Sequence, residues 1–231
     1  MKKYLLGITV GLISVLLVSC DLDGDGYSLT DIWVSFGILY ENDDSNLGYT
    51  VKLDDGDVLY PVASSIYMNA FDDSCRVLVN YTVLGDKADS IDYKEYYVKI
   101  NAMRDILMKG ILDITPEIED SIGNDPIIVK DAWISNNLLN FELKYWGNTE
   151  IHYINLVKQP GVLAEASQPI ELELRHNDNG DLESIPYAAY VSFDLSALKI
   201  ESADSVKFRV TATDYDGYIY SDEGVYKYGS N

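Results

Sequence analysis

The sequence predicts an all-β protein of two domains with one short helix, on three observations. Apolar and polar residues alternate with a period of two along most of the chain, which is the pattern of half-buried strands. Turn sequences built from Asp, Asn and Gly interrupt that alternation at strand-length intervals. Only the window 102–107 suits a helix, and a polar, Pro-bounded stretch at 116–126 divides the chain in two.

In the first half, Ile32, Val34, Phe36, Ile38 and Tyr40 alternate with Trp33, Ser35, Gly37 and Leu39 to give one long strand. Two further strands, 49–53 and 58–60, flank Asp54-Asp55-Gly56-Asp57, a hairpin turn. Segments 76–84 and 93–100 complete the set. In the second half, Phe141, Leu143 and Tyr145 alternate with charged residues before a turn at Gly147-Asn148. Leu172 and Leu174 precede Asn179-Gly180, and Val206, Phe208, Val210 and Ala212 precede Asp216-Gly217. Short strands so spaced argue for a β-sandwich. A local echo links the halves: Asp31-Ile-Trp33-Val-Ser35 recurs as Asp131-Ala-Trp133-Ile-Ser135. A buried indole needs a partner for its N–H, so Trp33 and Trp133 belong at a domain interface, under a loop or in the open. That makes them the candidate ligand-binding residues.

The amino terminus locates the protein. Lys2 and Lys3 precede an apolar run from Leu5 to Leu17, closed by Leu17-Val18-Ser19-Cys20. This is the order of a secretory signal, and the run is shorter than the roughly 20 residues that a spanning helix needs. The closing tetrad resembles the bacterial lipobox, which implies cleavage after residue 19 and a Cys20 carrying acyl chains such as palmitate. More than one chain gives stable anchoring. Asp21, Asp23 and Asp25 then resemble the export signal of surface lipoproteins in Gram-negative gut anaerobes, which places the body on the outer membrane, facing outward. The same residues with Gly26 match four positions of an EF-hand loop. Its twelfth position, however, is Ile32, with Asp31 one place early, so an acidic spacer is the better reading and no metal is expected.

Charge narrows the function further. The chain holds 38 acidic and 17 basic residues, a net charge of −21. Such a surface repels phosphate backbones and excludes nucleic acid as a partner. It also holds the body off anionic headgroups. Cys75 is left without a partner once Cys20 is acylated, so the fold relies on no disulfide. It reads as a small buried or edge-strand residue.

Several segments together resemble the NigD-like lipoprotein family: the lipobox with its acidic residues, residues 27–35, 52–56, 76–82, 120–126, 154–157, 174–177 and 203–207. The resemblance implies an N-terminal OB-like barrel followed by a C-terminal β-sandwich. The expected organisation is therefore a signal peptide at 1–19, a lipidated Cys20 with acidic tether at 20–29, an OB-like domain at 30–115, a linker at 116–126 and a sandwich at 127–231. The family is named after a bacteriocin operon, which implies immunity or protection as its role. It carries over no catalytic residues and no cofactor.

The residues agree with a non-enzyme. His152 shares a strand face with Ile154 and Leu156, and His176 sits at a strand end where a turn role suffices. Neither lies in a nucleophile or zinc motif. Asp214-Tyr-Asp216-Gly217 resembles a cadherin calcium motif without its companions, so it reads as a hairpin turn. The cluster Tyr215, Tyr218, Tyr220, Tyr226 and Tyr228 suits cross-strand packing. Ser90, Ser121 and Ser205 each resemble the short O-glycosylation sequon of gut-anaerobe envelope proteins. The expected function is an outer-membrane lipoprotein, held by its lipid, that binds a toxin or an envelope protein; the alternative is a surface glycan-binding lipoprotein. Protease treatment of intact cells should degrade the wild-type protein and spare a variant with Asp21, Asp23 and Asp25 changed to Ala. Protection of both would place the body in the periplasm.

Overall fold

The computed structural model describes residues 27–66, 71–90, 92–161 and 168–229. Cys20, Asp21, Asp23 and Asp25 lie outside the described residues, as does the signal segment. Five strands form a closed barrel: β1 (Trp33–Glu41), β2 (Tyr49–Leu53), β3 (Val58–Ser64), β4 (Arg76–Asp89) and β5 (Lys94–Asp105), in the order β1-β2-β3-β5-β4. Only the β3–β5 contact is parallel. Alternation drives Leu39, Val51, Leu59, Val79, Val98 and Ile100 into the barrel core. Register shifts along β4 and β5 bend these long strands so that the sheet can close on itself. Gly37 is required where β1 crosses β2, because a Cβ there would lie 2.7 Å from the Lys52 carbonyl oxygen.

The rest of the chain builds the two-sheet sandwich from β6 (Leu107–Gly110), β7 (Leu112–Asp113), β8 (Ile128–Ser135), β9 (Leu138–Gly147), β10 (Tyr153–Lys158), β11 (Ile170–Asn177), β12 (Ile185–Asp194), β13 (Ser205–Thr213) and β14 (Ile219–Lys227). One sheet runs β14-β13-β11-β10-β7 and the other β6-β12-β9-β8. Phe141, Leu143, Leu156, Leu174, Phe193 and Phe208 fill the space between them. All four alternating residues expected on β13 are buried: Val206, Phe208, Val210 and Ala212. The turns at Asn179-Gly180 and Asp216-Gly217 both place two successive residues at positive φ, the geometry for which Asn, Asp and Gly are suited.

Three local expectations differ from the structure. On β1 the buried residues are Gly37 and Leu39, while Val34 and Tyr40 of the alternating apolar set are exposed, because the Leu39 side faces the barrel core. Residues 102–105 end strand β5 and Leu107 begins β6; Ala102 and Met103 pair with Asn80 and Val79 in the barrel ladder, and tertiary pairing overrides a weak helical preference. The short helix, α1 (Glu119–Ile122), lies instead in the Pro-bounded stretch. The sequence placed the division between domains at 116–126, but the chain leaves the barrel earlier. Ile106 is buried and donates its N–H to the Arg76 carbonyl, and Leu107 already pairs with Val191 of the sandwich. Residues 116–126 form a strap along β11, with Asn177 Nδ2 donating to the Ser121 carbonyl and the Asp125 N–H to the His176 carbonyl.

Gly224 faces Phe208 across the β13–β14 pair, and a Cβ there would stand 2.3 Å from the ring. Phe208 is locked in the core and cannot yield. Gly224→Ala is therefore expected to cost about 1–3 kcal/mol, measured by denaturant unfolding, whereas an alanine at Gly85, which meets nothing, should be far milder.

Candidate functional site

The junction between barrel and sandwich brings together polar groups that are far apart in sequence. Arg76 opens β4, and its side chain has no exposure to solvent. Asp54, in the turn between β2 and β3, grips the guanidinium with both carboxylate oxygens; the Nη2–Oδ2 contact is 2.7 Å. Nη2 also donates across the domain junction to Asn140 Oδ1 at 3.0 Å. Asn140 Oδ1 accepts in addition from Ser192 Oγ at 2.7 Å, and its Nδ2 donates to the Trp133 carbonyl and to Ser135 Oγ. Fork-to-carboxylate pairing of this kind is strong and fixes orientation. Arg76 Nε, also buried, has no acceptor among the described residues.

An aromatic cluster seals one side of this junction. Phe36 of β1 meets Trp133 at 5.4 Å and Tyr190 at 5.2 Å between ring centroids, with the Arg76 guanidinium over its face at 5.3 Å. Arg104 lies over Tyr190 in the same way. On another side a cleft of about 500 Å³ opens between the domains. The barrel contributes Tyr40, Lys52 and Asp54, and the sandwich contributes Met108, Lys109 and Asp194. Lys109, on the edge strand β6, donates to the Ile154 carbonyl and Asn155 Oδ1 of β10 in the facing sheet, each at 3.0 Å, and burial lowers its pKa. With Arg76, the cleft gathers three basic side chains against two carboxylates in a chain where acids outnumber bases 38 to 17. Domain junctions are where ligand clefts commonly form.

The two candidate tryptophans part company here. Trp133 packs into the domain junction, whereas Trp33 is 51% exposed at the start of β1. Ser90 and Ser121 are exposed and Ser205 is half-buried at the start of β13. Cys75 is half-buried, without a disulfide, and burial pushes its thiol pKa up. Tyr226 is buried and stacks edge-on with Tyr228, while Tyr218 is exposed. Among the described residues no cluster of His, Cys, Asp and Glu has the arrangement of a metal site, and no helix is long and apolar enough to cross a membrane.

Sequence reasoning did not single out Arg76, Asp54, Asn140 or Ser192 as site residues. The available signal was a polar residue inside an apolar strand, as in Leu138-Leu139-Asn140-Phe141, since such a residue is buried only with partners. His176 was also misjudged: it is 1% exposed, and its Nε2 lies 2.9 Å from His152 Nδ1. Burial lowers the His176 pKa and neighbouring His152 lowers it further, against the Pro126 carbonyl and the charges of Asp125 and Asp178. The unfolded chain then binds more protons than the folded one below pH about 6.5, so this group's contribution is full above that pH and is lost as the pH falls. Thermal melts from pH 7 to pH 5 should show this loss, with a smaller slope in His176→Gln. For the junction, Asp54→Ala strands a buried guanidinium and is expected to cost about 3 kcal/mol, while the double change Asp54→Leu with Arg76→Met should recover most of it in a double-mutant cycle.

The comparisons with known proteins agree with this architecture. Residues 39–106 match the NigD-like N-terminal OB domain and residues 110–223 the NigD-like C-terminal beta sandwich domain. No curated protein matches the chain. Among solved structures, a toxin-related protein from Parabacteroides distasonis is 30% identical, with 86% of this chain and 95% of that one covered and a TM-score of 0.71. A NigD-like immunity protein from Bacteroides caccae is 18% identical, covering 85% of this chain and 93% of that one at a TM-score of 0.59. A lipoprotein from Bacteroides fragilis is 12% identical, covering 87% of this chain and all of that one at 0.61. The latter two share the fold. With both domain matches in sequence order and a barrel joined to a sandwich as those matches require, this chain belongs to the NigD-like family.

Proposed function

We propose that this chain is a non-enzymatic binding lipoprotein of the bacterial outer membrane, held by acyl chains on Cys20, and that it protects the cell by engaging a toxin or another envelope protein. The cleft between the domains is the binding site in this reading. The observation that carries it is the cleft itself, with exposed Lys52 on the barrel wall and half-buried Lys109 on the sandwich wall of an otherwise acidic protein. A carboxylate-bearing or carbonyl-rich polypeptide segment would give the Lys52 ammonium an acceptor there. The apolar parts of Tyr40 and Met108 in the same cleft give such a segment hydrophobic contact. The family's association with a bacteriocin operon, and the toxin-related and immunity names of two fold relatives, support the choice of a toxin as partner.

Deletion of the gene should raise sensitivity to the cognate toxin, and the wild-type protein should restore resistance. A folded double variant, Lys52→Glu with Tyr40→Ala, should fail to restore it. Full protection by that variant would remove the cleft from the mechanism. Glycan binding is the second reading, supported by the exposed Trp33 ring, whereas Trp133 is occupied by Phe36. It requires polysaccharide to quench a fluorescence component that disappears in Trp33→Phe; a spectrum indifferent to every sugar leaves it without support.

A further inference from the structure

At the end of the sandwich remote from Asn140, four groups from four segments stand in a row. Asp181, in the loop between β11 and β12, places Oδ2 3.2 Å from His152 Nε2. His152 Nδ1 lies 2.9 Å from His176 Nε2, and His176 Nδ1 lies 2.9 Å from the Pro126 carbonyl oxygen. The side chains of Asp181 and His152 are 3% and 4% exposed, so water does not reach these contacts freely.

The hydrogen bonds can be counted. The row has three contacts, and each needs one proton between its two heavy atoms. The two ends are acceptors only: a carbonyl oxygen accepts, and so does an ionised carboxylate. Asp181 is ionised, since its carboxylate also accepts the N–H groups of Asn148, Thr149 and Leu182. Burial pushes its pKa up, but those N–H groups and His152 outweigh it and hold the carboxyl far below the usual range. Two neutral imidazoles bring only two protons to three contacts. With two, one contact is always left empty: His152 Nε2 faces the carboxylate with a bare lone pair, the imidazoles meet lone pair to lone pair, or His176 Nδ1 faces the Pro126 carbonyl bare. Each option leaves buried acceptors facing one another.

We infer that His152 and His176 form a buried proton-binding site, which takes up one proton beyond those of two neutral imidazoles and holds it between Asp181 and the Pro126 carbonyl. The proton resides on His152, whose Nε2–H donates to Asp181 and whose Nδ1–H donates to His176 Nε2. His176 stays neutral and donates its Nδ1–H to Pro126. A second extra proton has no place, because His176 Nε2–H would then oppose His152 Nδ1–H. The other titratable and charged groups facing the pair are Tyr145, whose ring lies 4.9 Å from His152 and 5.2 Å from His176, and the carboxylates of Asp125 and Asp178. Tyr145 has its pKa raised by burial and remains uncharged. Gly147 makes room for the row, since a Cβ there would lie 2.8 Å from His152 Nε2. The bound proton thus joins the strap at Pro126, β11, the approach to β10 and the loop after β11. It fixes the two segments that present Ile151 and Leu182, which are 68% and 70% exposed.

Long-range nitrogen–proton correlation spectra of the intact protein, labelled with nitrogen-15 in histidine, test the count at pH 7. The expected result is one imidazolium, assigned to His152 by its loss in His152→Gln, and one neutral ring protonated at Nδ1. Asp181→Asn should remove the imidazolium signal, because the carboxylate that retains the proton is gone. Two neutral rings in the wild type would overturn the inference, as would two imidazolium rings. Retention of the proton by a folded Asp181→Asn protein would assign it to another cause and overturn the role of Asp181. Should that variant fail to fold, the wild-type spectrum decides alone.

Discussion

A guanidinium without water sits between the two domains, and much of the architecture answers to it. Removing Arg76 from solvent is unfavourable unless its charge is matched and its N–H groups are accepted. Asp54 supplies the charge from a turn that Gly56 makes possible, at φ +98°. Asn140 supplies a second acceptor from the other domain, and Ser192, Ser135 and the Trp133 carbonyl fix the orientation of its amide. Phe36 covers the planar face. No member of this group can move alone without leaving another unpaired, so the relative placement of barrel and sandwich is specified by hydrogen bonding as well as by packing.

That rigidity bears on recognition. The cleft beside Arg76 has walls from both domains, and its shape persists only while the junction holds. A ligand contacting both walls meets a preformed surface and loses little to reordering the protein. The direct passage from β5 to β6 through Ile106 serves the same end. With no flexible connector, the two domains share a strand-to-strand corner instead of a hinge.

Strands β11 and β13 were legible because each carries its period of two over a half-buried face, whereas on β1 the buried residues are Gly37 and Leu39, not the apolar stripe of Val34, Phe36, Ile38 and Tyr40. The turns were legible because positive φ restricts the residues that fit, as at Asn179-Gly180. The helix expected at 102–107 and the division expected at 116–126 rested on local composition. Pairing with Asn80 and Val79 in one case, and packing along β11 in the other, are long-range facts that composition does not encode. The candidate site was less legible than the fold. Trp133 was noticed for its ring, but the determinant beside it is the amide of Asn140, and the importance of an amide depends on a partner 64 residues away. His176 looked like a turn residue because it stands next to the end of β11; its burial comes from the strap and from His152, neither adjacent in sequence.

The order in which the chain is made gives Arg76 a history. The barrel has all its strands once Asp105 is available, and domains tend to fold as units from the amino end. A barrel folded at that stage would hold both Arg76 and Asp54, while Asn140, the acceptor from the sandwich, lies on a strand still to come. The sandwich cannot close until late, because β6 waits for β12, and Ser192 arrives with that same strand. Enclosure of the guanidinium therefore awaits β9 and β12 of the second domain. Arg76 thus ties a polar contact of the first domain to a strand of the domain made after it.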